Sequence, residues 1–165
     1  MTLTDLPRWR TTDLYSGLDD PALVADLKAL SSDVEALGAL LDTLEIRKDG
    51  AAVTPDRLDA ALNAMNGVYS RGATIRAYLS AFVSTDSRNA PAQGLMSALT
   101  TTTLPLGPLR SRVTAWIGAL DGDALDTLTG ASDTAREHAH LLRRSADYAR
   151  HQMTPDEEDL AARLR

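Results

Sequence analysis

Apolar residues recur along most of the chain at spacings of three and four, the period of an amphipathic α-helix. The first stripe follows Asp20-Pro21, an N-cap residue with proline at the first helical position. Its apolar members are Leu23, Leu27, Leu30, Val34, Leu37, Leu41 and Leu44. The second stripe follows Thr54-Pro55-Asp56, which has the same cap chemistry, and its members are Leu58, Leu62, Met65, Tyr69, Gly72, Ile75, Leu79 and Phe82. The pattern predicts two long helices with a loop at residues 47–53 between them.

A third stripe starts after the polar turn at residues 84–91 and contains two prolines, Pro105 and Pro108. Its apolar members are Leu95, Leu99, Leu106, Leu109, Val113, Trp116 and Leu120. Proline lacks the backbone N–H that a helix interior uses and clashes with the preceding turn. We therefore expect this helix to bend near Pro105 to Pro108.

Three shorter helices are predicted from their cap residues after the third stripe. Asp121 caps one that ends at Gly130, and Ser132 caps another that runs to about Arg150. Residues 154–157 read TPDE, a capping box that starts a last helix. That helix reaches Arg165 without a C-cap, so we expect the chain to be truncated at its C-terminal end.

The predicted fold is all-α, because no segment alternates apolar and polar residues with the period of two expected of a strand. We expect an antiparallel helical bundle with two long central helices, near 55–85 and 91–120, since a short turn forces neighbouring antiparallel packing. Residues 1–20 are predicted to be an extended N-terminal arm and residues 21–165 a helical domain, which together form one domain.

The arm is rich in large apolar side chains, which predicts that it docks on the helices. Its predicted structural anchors are Trp9, Leu14 and Tyr15, and Trp116 on the third stripe is a further one. The alternative for Trp9 is a partly exposed arm that is ordered only by a partner.

Composition excludes several classes of function. The net charge of −6 argues against a nucleic-acid partner, which would require a basic surface. No apolar run approaches the ~18 residues of a membrane span, and residues 1–10 lack the pattern of a secretory signal. The absence of cysteine excludes disulfides, thiolate nucleophiles and cysteine-type zinc sites. We expect a cytoplasmic protein without a membrane partner.

No catalytic, cofactor-binding or metal-binding residue can be assigned from motifs. H-E-x-x-H, G-x-S-x-G and a glycine-rich phosphate loop are all missing. Glu137 and His140 form one E-x-x-H pair, which predicts two ligands on one helix face, but a di-iron bundle needs a second pair and two further glutamates. The arginines Arg143, Arg144 and Arg150 could bind a phosphate or a carboxylate, or pair with Asp147 and the acidic run at 156–159.

Three segments resemble oligoendopeptidase F and its relatives, the thimet-oligopeptidase-like zinc metallopeptidases. Residues 6–15 read LPRWRTTDLY and are similar to the family's opening, which has proline, tryptophan and Asp-Leu-Tyr. Residues 77–93 are similar to its "Y-x-x-L…T-D…A-Q" junction between two long helices. Trp116 to Leu120, followed by residues 151–158, HQMTPDEE, is similar to its "H-x-L-S-x-E-E-E" segment.

The resemblance implies that the chain is the non-catalytic N-terminal helical domain of such an endopeptidase. It would form part of the wall that restricts access of oligopeptides to a zinc site outside this chain, since no residue here matches the family's zinc ligands. Its partners would be the catalytic remainder of the peptidase and, in the full enzyme, short peptides.

Two other functions compete with this one. The chain could be a free-standing helical interaction or dimerisation module, or a small metal-binding bundle, which the ligand count disfavours. A homodimer is a further expectation, because a wall cut from a larger enzyme would leave an apolar patch uncovered, near the third helix and Leu160 to Leu164.

Overall fold

The computed structural model describes residues 11–149 and 151, and their regular structure is entirely helical. The first element of the described residues is a 3-10 turn at Thr11–Asp13. The helices that follow are α1 (Pro21–Thr43), α2 (Pro55–Thr85), α3 (Ala90–Thr103), α4 (Leu106–Ile117), α5 (Gly122–Ala131), α6 (Asp133–Glu137) and α7 (Ala139–Ala149). The predicted all-α class is therefore correct for the described residues. The described part of the predicted extended arm contains a helical turn.

The first two long helices begin where their cap residues place them. The Asp20 carboxylate accepts hydrogen bonds from the N–H groups of Ala22 and Ser16, at 2.7 and 2.6 Å. These bonds lower the pKa of Asp20 below its usual value, because they stabilise the charged form. At α2 the Thr54 hydroxyl accepts a 3.4 Å bond from the Arg57 N–H. Each cap thus satisfies a backbone donor that has no partner within the helix.

The end of α1 is a Schellman motif formed without glycine. The Ile46 N–H donates to the Leu41 carbonyl at 2.9 Å and the Glu45 N–H donates to the Asp42 carbonyl at 3.0 Å. Glu45 adopts a left-handed φ of 53°, the position where such motifs usually have glycine. Ile46 and Leu41, the two positions that typically make an apolar contact in this motif, are both fully buried.

The third stripe, expected to form one long helix near 91–120, forms two helices that are divided at the first of its two prolines. α3 ends at Thr103 and α4 begins at Leu106. Pro105 has no N–H to continue the ladder, whereas Pro108 lies in the first turn of α4, where a missing N–H costs nothing. Leu104, which lies between α3 and α4, keeps helical backbone angles, with φ −50° and ψ −43°.

Contacts between Cα atoms divide the chain into two compact units, and α1 and α2 each contribute residues to both. The first unit contains the chain up to Ala36 and Asn66–Pro105. Its buried apolar residues are Tyr15, Leu23, Leu30, Val34, Val68, Ile75, Tyr78, Leu79, Ala92 and Leu99. Tyr69, which the second stripe included, is 39% exposed, and Val68 is buried in its place. The apolar face therefore shifts by one residue within this long helix.

The second unit contains Leu37–Met65 and the chain from Leu106 onward. In it α4 packs on α7, α5 packs on α6 and α7, and α6 also contacts α7. Its buried apolar residues are Leu37, Leu41, Ile46, Leu58, Ala61, Leu62, Leu106, Val113, Trp116, Ile117, Leu125, Leu128, Ala135, Leu142 and Ala146. The buried Ser132 hydroxyl caps α6 at the Ala135 N–H and donates a 2.5 Å bond to the Asp59 carboxylate.

None of the helices in the described part is both long enough and apolar enough to cross a membrane.

Candidate functional site

Tyr15, one of the predicted anchors, is buried in the first unit. Its ring meets the Tyr78 ring edge to face, with centroids 4.8 Å apart, and the Tyr78 ring lies 5.0 Å from that of Phe82. The Tyr78 hydroxyl donates a 3.3 Å hydrogen bond to the Tyr15 backbone carbonyl. Both ring and backbone of Tyr15 are therefore held by α2.

The Tyr15 hydroxyl belongs to a half-buried network of charged groups. It donates to the Asp26 carboxylate at 2.7 Å, and Arg71 donates to Asp26 at 2.6 Å and to Asp33 at 2.9 Å. Burial, reinforced by the bond to Asp26, raises the pKa of Tyr15 to about 12. The bond to Asp33 raises the pKa of Arg71 above its usual value. The network joins the arm, α1 and α2 through side chains that all have partners.

Trp116, predicted to lie in the core, is 2% exposed and belongs to the second unit. Its indole N–H donates a 2.6 Å bond to the Ala51 carbonyl. Arg112, one turn earlier on α4, donates to the Ile46 carbonyl and, at 2.6 Å, to the Asp42 carboxylate. These contacts fix the loop between α1 and α2 on α4.

The other two predicted anchors are placed differently. Leu14 is 55% exposed, although it directly precedes the buried Tyr15. Trp9 lies outside the described residues. Tyr15 belongs to the first unit and Trp116 to the second.

A short polar segment connects α2 to α3. Asn89 caps α3, its side-chain oxygen accepting a 3.0 Å bond from the Ala92 N–H. The Gln93 amide donates a 2.6 Å bond to the Ser87 carbonyl, and the Asp86 carboxylate accepts a 2.9 Å bond from the Arg88 N–H. The polar residues of this segment therefore stabilise a tight connection between two helices.

The Glu137–His140 pair does not lie on one helix face, and that prediction is wrong. α6 ends at Glu137, and α7 begins at Ala139. His138 between them has φ −99° and ψ 9°, outside the helical region, so the spacing of ligands on a continuous helix does not apply. The helix expected from Ser132 to about Arg150 is accordingly two helices. No group of three or more histidine or acidic side chains within 11–149 and 151 could hold a metal ion.

The late arginines have separate environments. Arg143 pairs with Asp126 of α5 at 2.7 Å, a partner seventeen residues earlier in the chain. Arg144, the next residue, lines a groove between α4 and α7. Arg150 lies outside the described residues.

The α4/α7 groove is the candidate binding site of the second unit, with a volume of about 570 Å³. Its lining residues are Gly107, Arg110, Ser111 and Thr114 of α4, and Leu141, Arg144, Ser145 and Tyr148 of α7. Leu141 is 53% and Tyr148 68% exposed, so the groove is open to solvent. It combines two guanidinium groups with hydroxyls and an apolar edge.

No protein-family model, no curated protein and no solved structure matches this chain.

Arg144 is one of the candidate arginines evident in the sequence, whereas Arg110, its counterpart on α4, is not. A signal for the pair is present in the sequence, because Arg110-Ser111 is repeated as Arg144-Ser145. Only the packing of α4 on α7 places the two dipeptides on the same groove.

Proposed function

We propose that the chain is the non-catalytic N-terminal helical region of an oligoendopeptidase F-like zinc metalloendopeptidase. It would form part of the wall that limits access of oligopeptides to a zinc site outside these 165 residues. The observation that supports this proposal is the position of the residues that resemble the family. Tyr15 of the Asp-Leu-Tyr motif is buried against α2, and Gln93 of the Ala-Gln motif stabilises the α2–α3 junction.

A wall that excludes large substrates must hold its helices in fixed positions. The Tyr15 network and the α2–α3 junction both serve that purpose, since each joins separate elements by short polar contacts. The helix arrangement that we propose is the antiparallel bundle with two long central helices, of which α2, with 31 residues, is one. The arm at residues 1–20 would dock on it.

The partners of the chain would be the catalytic remainder of the peptidase, short peptides in the full enzyme, and a second copy of the chain when the wall is isolated. Zinc would be held by ligands of the remainder, and no residue of this chain takes part in its coordination. The proposed location is the cytoplasm.

The decisive experiment compares the product of the complete reading frame with the 165-residue chain. We expect the complete product to contain an H-E-x-x-H motif, bind one zinc ion and cleave a quenched fluorescent oligopeptide. The 165-residue chain should neither bind zinc nor cleave the peptide, because a catalytic zinc site requires three protein ligands. A complete product without the motif and without peptidase activity would contradict the proposal.

A variant within the complete product tests the role as a wall. Tyr15→Ala removes the ring that contacts Tyr78 and the hydroxyl that contacts Asp26. The loosened wall should admit a large unfolded substrate such as casein while the rate on the short peptide stays unchanged. Tyr69→Ala, which truncates a tyrosine that is 39% exposed, should leave both rates unchanged.

One observation favours the alternative, a free-standing interaction module. Leu141 and Tyr148 lie on the exposed side of α7, where large apolar side chains are typical of contact surfaces. Sedimentation equilibrium of the 165-residue chain discriminates self-association from a monomer. Under this alternative Leu141→Ser should shift the chain toward monomer, whereas Val24→Ser, at a similarly exposed position of α1, should not.

A further inference from the structure

The α4/α7 groove is formed by two helix faces with the same spacing. The four lining residues of each helix stand at positions i, i+3, i+4 and i+7, from 107 to 114 on α4 and from 141 to 148 on α7. At 1.5 Å per residue each face extends about 10 Å, or two turns. The groove is therefore elongated, and its arginines lie at the middle of each edge.

The side chains of the two arginines have no acidic partner among the residues that the structure describes. Within those residues no acidic side chain lines the groove, and the guanidinium groups of Arg110 and Arg144 make no hydrogen bond or ion pair. Arg112 and Arg143, their neighbours in sequence, are both paired with aspartates. The groove is thus a local basic site on a chain whose net charge is −6.

The remaining lining residues add hydrogen-bonding groups and an apolar edge. Ser111 and Ser145 each follow an arginine, so a hydroxyl accompanies each guanidinium group. Leu141 and Tyr148 stand at the two ends of the α7 edge and are largely exposed. Exposed aromatic and arginine side chains in one groove are typical of contact surfaces, where they act as anchors.

We propose that the α4/α7 groove binds a short acidic peptide segment. Its carboxylates would pair with Arg110 and Arg144, whose planar forks match carboxylates in a bidentate geometry. An apolar side chain of the segment would contact Leu141 and Tyr148. The volume of about 570 Å³ is within the range of ligand pockets, and the elongated open shape suits a peptide better than a compact ion. This inference is independent of the proposed peptidase role.

Isotope-edited NMR of the 165-residue chain tests the proposal with a blocked hexapeptide of alternating leucine and glutamate. We expect saturable shifts of backbone amides confined to residues 107–114 and 141–148. The same peptide with glutamine in place of glutamate should bind at least about tenfold more weakly, because it cannot form ion pairs. Raising the salt concentration should weaken binding of the glutamate peptide only.

Matched variants locate the site. Arg110→Gln with Arg144→Gln should weaken binding of the glutamate peptide about tenfold or more. Arg143→Gln removes one positive charge outside the groove and should have little effect. All three arginines are exposed, so the variants should keep the native spectrum. Tyr148→Ala tests the apolar edge and should weaken both peptides.

Four results of the peptide titrations would overturn the proposal. These are no binding of the glutamate peptide, equal binding of the glutamine peptide, an equal loss in Arg143→Gln, and shifts outside the two helix faces. In a final control, inorganic phosphate is titrated in place of the peptide and the amide shifts are compared. If phosphate alone reproduces the shifts at the same concentration, the groove is a general anion site and the peptide assignment is wrong.

Discussion

Tyr15 and Asp26 are joined by a 2.7 Å hydrogen bond in which the phenol donates to the carboxylate. The same carboxylate accepts a 2.6 Å bond from Arg71 of α2. A residue of the arm is thereby tied to α1 and, through Asp26, to a side chain from much later in the chain. This relationship makes the stability of the first unit sensitive to the protonation of one phenol.

Tyr15→Phe should lower the free energy of unfolding by about 1 kcal/mol near neutral pH, the usual net value of one hydrogen bond. The substitution should also reduce the loss of folding stability at alkaline pH. The pKa of Tyr15 is raised to about 12 from an ordinary value of about 10, so the folded state favours the protonated phenol. The resulting stability is present below pH 10 and is lost as the pH rises through about 12. Urea unfolding across this range measures the difference.

Tyr148→Phe is the matched control for this prediction, because the Tyr148 side chain is 68% exposed. It should leave both the stability and its pH dependence unchanged. An alkaline loss of stability that is as large in Tyr15→Phe as in the natural chain would contradict the assignment to Tyr15.

Arg71 should couple energetically to Asp33. A double-mutant cycle with Arg71→Gln and Asp33→Asn should give a coupling free energy of about 0.5–1 kcal/mol, because the pair is only half-buried. The coupling should fall as salt is added. The more exposed pair of Arg136 and Asp133 serves as a comparison and should give a smaller value. If both pairs gave the same coupling free energy, the partial burial of the Arg71–Asp33 pair would not strengthen its interaction.

Glu45→Gly should raise the free energy of unfolding by about 0.5–1 kcal/mol. Glu45 holds a φ of 53° at the end of α1, a conformation that costs about 1–2 kcal/mol for residues other than glycine. Its contact with Arg47 is long, at 3.6 Å, and exposed, so little is lost with the side chain. Glu35→Gly, at an exposed position inside α1, should destabilise by about 1 kcal/mol instead. Urea denaturation of both variants should therefore give opposite signs.

Gly118→Ala should destabilise the second unit by about 1–3 kcal/mol. A Cβ at position 118, just after α4, would overlap the Cβ of Ala149 at the end of α7, so one backbone must move. Gly130→Ala in α5 is the control, since no atom lies within 4 Å of the added Cβ. It should stabilise by about 0.5–1 kcal/mol through helix propensity. Thermal unfolding of the two variants distinguishes a steric requirement at Gly118 from a general effect of alanine.

The helix boundaries were the most predictable part of the fold. Pro21, Pro55, Gly122 and Asp133 begin helices directly after the cap residues that the sequence offers. The break at Leu104 to Pro105 was predictable for the same local reason, the missing proline N–H. The break at His138 was not, because no proline or glycine marks it.

The candidate site was predictable only in parts. Arg144 stood out in a cluster of arginines, whereas Arg110 looked like an ordinary residue of a helix face. Tyr15 and the residues of the α2–α3 junction belong to short sequence motifs, but neither motif names a contact. Tyr15 with Asp26 and Arg71 became a network only when α1 and α2 were placed side by side.

The sequence by itself determined the helical class, most helix starts and the apolar faces, because capping and periodicity act over a few residues. The tertiary structure alone decided which distant groups meet. Arg112 reaches Asp42 across 70 residues, and Trp116 reaches Ala51 across 65. It also decided that Arg143 has a carboxylate partner while Arg144 faces an open groove. Adjacent residues on a helix point in directions about 100° apart, so which elements pack on each side determines what each of them does.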